Sequence, residues 1–315
     1  MGNKRLETVV GGVRMETPVI IASGVWPMDP GLWPTGSMDG VGAVCSKGIT
    51  LYPRKGNTGG RVFETPSGML NSIGLQNPGV SAFIDEDLGP LSSAGFPVIV
   101  NVAFGSIEEL DDTVHILEKS VDKIGAIELN VSCPNVSSGG MSWGTLPSSL
   151  EEAVAGARAA WNGPLWVKLT PQAWSIADAS KVCENAGADA VVVGNTWLGM
   201  AVDNQNEKPF FDRIFAGLSG PAIFPLSLRM VWEAAGSVAI PVIGCGGVSG
   251  PDEALSMMLA GASAIQAGTS LFVESRLPSL ICRGLIEHMD SHSLENAVAL
   301  TGRARPEKGA ATQKC

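Results

Sequence analysis

The feature that most constrains this chain of 315 residues is a beat repeated eight times: an apolar run, a polar or glycine-rich end, then a helical pattern. The runs fall at residues 18–22, 42–46, 97–102, 126–131, 165–169, 190–193, 241–244 and 264–267. Helical patterns lie between most of them, at 107–121, 149–160, 175–186, 225–235 and 252–260. Short apolar runs alternating with helices mark a parallel sheet buried on both faces, and eight such units predict closure into a barrel. Counting alone leaves a doubly wound open sheet as the alternative. We expect an α/β fold in which one domain, 1–315, forms a single (β/α)8 (TIM) barrel. A small hairpin at 6–15 is expected to plug its bottom, and the tail from about 301 to be mobile. Two long βα connections, 49–90 and 195–225, predict site walls or lids, and the loop at 137–147 is a further lid candidate.

Composition removes several classes of function. A formal net charge of -10 gives no basic face for nucleic acid or an anionic membrane. No apolar run reaches the roughly 20 residues needed to span a bilayer. The start, MGNKRLETVV, lacks a signal-peptide core, and Leu6 occupies the Ser/Thr position of a myristoylation motif, so a cytoplasmic location is expected. The 6 cysteines include no C-x-x-C pair, which argues against a zinc ribbon or an iron–sulfur cluster on this chain. The 3 histidines (His115, His288, His292) fall in helical segments away from the strand ends, so no metal site is expected.

The richest stretch is 126–144, AIELNVSCPNVSSGGMSWG. It starts as an apolar run containing Glu128, then gathers Asn130, Ser132, Cys133 and Asn135 around Pro134. A barrel puts its chemistry at the C-terminal ends of its strands. Strand one ends in Ser23-Gly24, strand two in Ser46-Lys47-Gly48, strand three in Asn101, strand four at Asn130–Asn135, strand five in Lys168 and strand six in Gly194-Asn195-Thr196. Two lysines and several asparagines stand at these ends, without Asp or Glu. Amides both donate and accept, which suits a planar ligand with alternating carbonyl and N–H groups. Strands seven and eight end in Gly246-Gly247 and Gly268-Thr269, where barrels cradle a phosphate. Residues 244–249 fail the dinucleotide fingerprint because Ser249 stands at the third glycine, so a mononucleotide phosphate is expected.

These residues carry a resemblance. SKGIT (46–50), SGMLNSIGLQNPG (67–79), NVSCPN (130–135), KLTP (168–171), GNT (194–196), LSGPAI (218–223), GCGG (244–247) and AGT (267–269) resemble the class 1 dihydroorotate dehydrogenases. The resemblance runs from about residue 8 to about 290, and GLQNPG with the GGMSWGTLP loop is closer to the NAD-linked subclass. It implies an FMN-containing barrel that oxidises dihydroorotate to orotate in pyrimidine biosynthesis. Ser23, Lys47, Gly48, Asn101, Asn130, Lys168, Gly194, Gly220, Gly246, Gly247, Gly268 and Thr269 would hold FMN. Lys47, Asn71, Ile73, Gly74, Leu75, Asn130, Asn135, Asn195 and Thr196 would hold the substrate, and Cys133 would be the catalytic base. The subclass works with a separate subunit carrying FAD and a [2Fe–2S] cluster that links to NAD, and a homodimeric core is expected.

The chemistry of the residues agrees. Oxidation of the C5–C6 bond removes a hydride, which a flavin accepts, and a proton, for which the protein must supply one base. A lone cysteine is more often an inert buried thiol, the reading given to Cys45, Cys183, Cys245 and Cys282; Cys133 differs in its ring of amides. Trp26, Trp33 and Phe224 depart from the familiar pattern and point to an altered site mouth or a partner surface, while Trp143 and Trp197 read equally as lid or packing aromatics. Three other readings stay open: a dihydropyrimidine dehydrogenase, against which Asn135 argues, a Schiff-base aldolase using Lys168, and a non-catalytic flavin-binding subunit.

Overall fold

The computed structural model describes residues 4–132, 134–135 and 141–306. Eight parallel strands close into a barrel in chain order: Val19–Ile21, Ala43–Cys45, Val98–Val102, Ala126–Asn130, Leu165–Leu169, Ala190–Val193, Val242–Cys245 and Ala262–Ala267. These are strands one to eight. Strand eight pairs with strand one through Ile265 and Val19, so no edge remains and the open doubly wound sheet is excluded.

Residue parity explains why the runs are apolar throughout. Ile20, Ala43, Ile99, Ala126, Trp166, Ala190, Ile243 and Ala264 form a buried cluster inside the barrel. Their neighbours Ile21, Val44, Val100, Ile127, Val167, Val191 and Ile265 belong to a second cluster shared with the helices outside. Both faces are covered, so neither tolerates the polar alternation of a half-exposed strand.

Helices pack around the barrel at Ile107–Glu118, Pro147–Ala160, Ile176–Asn185, Phe224–Ala235, Pro251–Ala260 and Leu277–Ser291, with shorter helical turns from Val80 to Ser92 between strands two and three. Ser106 and Ser175 cap two of them by accepting from the main-chain N–H groups of Glu109 and Asp178. After strand one there is only a 3₁₀ turn, Pro30–Leu32. There the Trp26 and Trp33 rings pack 4.6 Å apart and the Trp33 indole donates to Pro27 O, so both tryptophans are buried packing residues rather than a site mouth.

The two long connections meet. Gly68–Asn71 pairs with Val62–Thr65 on one side and with Phe215–Ser219 on the other, and Phe215–Ser219 pairs in turn with Trp197–Met200. The resulting four-stranded antiparallel sheet has a small core of its own, Leu70, Ala201, Phe211 and Ala216. These strands lie within the two long connections and carry no continuous apolar run, because Gly68, Gly199 and Gly217 interrupt them and their outer faces are exposed.

The hairpin, Thr8–Val10 with Val13–Met15, contributes Val10, Val13 and Met15 to the cluster inside the barrel, where the Trp166 indole donates to Gly11 O at 3.1 Å. Residues 301–306, expected to begin a mobile tail, are instead tied down. Gly302 N donates to Met258 O, and the Arg305 guanidinium donates to Trp232 O and Ala260 O while lying 4.5 Å over the Trp232 ring. Gly11 adopts φ +47°, and a Cβ there would stand 2.5 Å from the Trp166 ring nitrogen. Gly11→Ala is therefore expected to cost about 1–3 kcal/mol by pushing the plug off Trp166, checked by urea unfolding.

Candidate active site

Parity also builds the site. The inward positions one layer above the apolar cluster are Cys45, Asn101, Glu128, Lys168 and Gln266, on strands two, three, four, five and eight. Glu128 lies at their centre, fully buried. Its Oε1 accepts from Asn101 Nδ2 at 2.6 Å, from Lys168 Nζ at 3.4 Å and from Cys45 Sγ at 3.4 Å. Its Oε2 accepts from the Gln266 side-chain amide, whose Oε1 accepts from Lys168 Nζ at 2.7 Å. A carboxylate in the interior is stable only when so supplied with donors.

A chain of amides climbs from this carboxylate to the mouth. Asn130 Nδ2 donates to Asn101 Oδ1 at 3.3 Å, and Asn195 Nδ2 donates to Asn130 Oδ1 at 3.4 Å and to Ser132 Oγ at 3.0 Å. Thr196 N donates to Asn195 Oδ1, and the Thr196 side chain lies against Gly217 of the four-stranded sheet. On the other side of that sheet's strand pair, Asn71 Nδ2 donates to Gly217 O. Gly48 faces Asn101 Oδ1 and Leu75, which brings the 71–75 turn over the floor. The sheet is thus a wall of the pocket.

Loops after strands six, seven and eight converge at the expected cradle. Thr269 Oγ1 donates to Ser219 Oγ at 2.8 Å, next to Gly220. A Cβ on Gly247 would stand 2.6 Å from the Phe224 main chain, and one on Gly246 would strike Ser227 Oγ. Phe224 therefore starts a helix that seats against the cradle. A Cβ on Gly268 would make ordinary van der Waals contact with Ala22 and Val25, and Ser23 follows Ala22 at the same rim.

Electrostatics separate the two lysines. Burial is the largest single influence and pulls the Lys168 ammonium down, but the charge and hydrogen bond of the adjacent Glu128 carboxylate, with smaller help from Cys245 and Cys45, together hold the group above the ordinary lysine value. A Schiff-base lysine must be neutral and reachable, so this geometry speaks against the aldolase reading. Lys47 is half-buried, and burial together with the Arg61 guanidinium pushes its ammonium below the ordinary value. Among the described residues no carboxylate forms an ion pair with Lys47, which leaves it suited to an anionic ligand.

Of the expected site residues, Asn101, Asn130, Lys168, Asn195 and Thr196 are joined through side-chain contacts, Gly48 and Leu75 lie beside Asn101, and Asn71 bonds to the sheet at Gly217. Gly194 closes strand six, its N–H donating to Cys245 O. Asn135 pairs through its main chain with Met141. Cys133 lies outside the described residues. Trp143 packs on Phe104, with 5.1 Å between ring centroids, and is a buried packing residue.

Glu128 and Gln266 were missed as site members. The signal was present: each is a polar residue at an inward position of an apolar strand. Cys45, read as packing only, also touches the Glu128 carboxylate.

An amide-lined floor with a buried ammonium at the C-terminal mouth of the strands is where a barrel enzyme carries its chemistry. The dihydroorotate dehydrogenase family matches residues 5–289, and the chain belongs to it. It is 39% identical over 302 residues to a Geotalea uraniireducens protein named dihydroorotate dehydrogenase B (NAD(+)), catalytic subunit, covering 96% of this chain and 99% of that one. Proteins with the same name from Thermoanaerobacter pseudethanolicus and Bacteroides thetaiotaomicron are 41% and 39% identical over 297 residues, 94% of this chain and 98% of each.

Removing the ammonium leaves the carboxylate buried without its counter-charge. Lys168→Met is expected to destabilise the fold by about 3–5 kcal/mol, most of it recovered in Lys168→Met/Glu128→Gln, as read by urea unfolding of both variants.

Proposed function

We propose that this chain is the catalytic subunit of an NAD-linked dihydroorotate dehydrogenase, oxidising (S)-dihydroorotate to orotate with FMN. One observation carries the reading: the amide chain Asn195–Asn130–Asn101, with buried Lys168, lies under a glycine cradle in a chain of this family.

The residues present fit FMN. Gly246, Gly247, Gly268 and Thr269 lie at the ends of strands seven and eight, where their main-chain N–H groups would hold the phosphate, and Asn101, Asn130 and Lys168 would face the ring. When bound, FMN supplies the acceptor for the hydride leaving C6. The substrate carboxylate would be held by Lys47 and by main-chain N–H groups of the 73–75 turn, and its ring amides by Asn71, Asn130, Asn135 and Asn195. Cys133, three residues beyond Asn130 and just before Pro134, would remove the C5 proton. The wall formed by the four-stranded sheet would exclude water.

The name "catalytic subunit" carried by the relatives supports a separate electron-transfer partner, for which FAD and a [2Fe–2S] cluster are the proposed carriers toward NAD. Among the described residues no helix is long and apolar enough to cross a membrane. The free cysteines Cys45, Cys183, Cys245 and Cys282 suit the reducing cytoplasm that we propose as its location. A homodimeric core belongs to the same proposal, with Leu198, Met200 and Phe215 exposed on two adjacent strands of the sheet.

The purified chain is expected to be yellow and to bleach when dihydroorotate is added without oxygen. Cys133→Ala should retain FMN and lose that bleaching; rapid bleaching of the variant would remove Cys133 from the role. Lys47 binds an anion only while protonated, and its proton is lost at lower pH than that of an ordinary lysine. KM for dihydroorotate should therefore rise as pH climbs through that lowered value. In Lys47→Ala, KM should be raised about 10- to 100-fold at neutral pH, without the inflection.

A further inference from the structure

We propose that Glu128 is a positioning residue for the flavin reaction: from beneath the pocket floor it fixes Lys168 and offsets its charge, and so sets the reduction potential of the bound flavin. The inference rests on the FMN reading above, and concerns a residue to which that reading gives no role.

Geometry carries the first half. Lys168 Nζ is held by two acceptors, Gln266 Oε1 at 2.7 Å and Glu128 Oε1 at 3.4 Å, and the Gln266 amide closes the ring by donating to the other carboxylate oxygen. Three side chains from strands four, five and eight thus lock the ammonium in one place. Asn101 Nδ2, donating to Glu128 Oε1, ties the same carboxylate to the amide chain that reaches the mouth. A shift of the carboxylate would be felt at both the ammonium and the amides.

Charge carries the second half. An ion pair in a barrel interior is often less stable than apolar side chains of the same volume, so packing does not account for this one. The groups facing Lys168 are Glu128, Cys45 on strand two and Cys245 on strand seven. Burial pushes both thiols up, so they stay neutral. Among the described residues Glu128 is therefore the only charge set against Lys168. A ring that gains negative charge on reduction is stabilised by the ammonium and opposed by the carboxylate behind it. Glu128 tempers a floor that would otherwise hold the reduced flavin too firmly to release its electrons.

The test is the two-electron potential of FMN bound to the whole chain, measured from mildly acidic to alkaline pH for the wild type, Glu128→Gln and Glu128→Asp. Glu128→Gln should keep FMN and favour the reduced form over the oxidised about tenfold more than the wild type does, a rise of about 30 mV for a two-electron couple. Without its counter-charge Lys168 holds its proton less firmly, so the variant's potential should also gain an inflection with pH that the wild type lacks. Glu128→Asp keeps the charge but withdraws it by one methylene, and should shift the potential the same way by less. If Glu128→Gln does not fold, Glu128→Asp carries the test. Bound FMN with a wild-type potential and pH dependence in every variant that folds would overturn the proposal, as would a lowered potential at all pH values. A wild-type chain that takes up no FMN overturns the cofactor reading instead, and this inference with it.

Discussion

A carboxylate in the interior of a barrel must be met by donors from several directions, because each unpaired interaction in a low-dielectric core is expensive. Glu128 is met by Asn101, Lys168, Cys45 and Gln266, so one side chain binds together strands two, three, four, five and eight. Those strands can adopt only the stagger that brings the donors to it. The contacts that join these strands inside the barrel thus also hold the amides and the ammonium in place.

Much of this architecture is legible in the sequence. Strands five and six fall at the expected residues, and the others lie within about two residues of expectation, because runs covered on both faces must be apolar from end to end. The strand ends listed Lys168, Asn101, Asn130 and Asn195, and the fold joins them. The hairpin plug was visible in its alternation about Gly11 and Gly12. The boundaries that moved are governed by pairing partners: strand eight begins at Ala262 because that residue pairs with Val242, a contact that no local pattern announces.

What stayed hidden depends on encounters between distant residues. Glu128 stood in plain view in an apolar run, yet its importance depends on Gln266, 138 positions away. Glu128 shares its layer with Asn101 and Lys168 but stands mid-strand, two residues before Asn130, and Gln266 likewise precedes the polar end of strand eight. The tryptophans of the first connection suggested a surface feature, but with no helix after strand one their rings fill the space that a helix would have covered.

The sheet shared by the two long connections ties their histories together. Its strands are paired residue by residue, with Asn71 opposite Gly217 and Leu70 opposite Leu218. An insertion of one residue in either strand would turn every following side chain to the opposite face, taking Leu70 out of the small core and exposing it. Length changes in one connection are thus tolerated only in the turns, or in steps that preserve parity, or with a compensating change some 150 residues away in the other. Two segments that look like independent variable loops are bound to drift, recombine and be redesigned as a single unit.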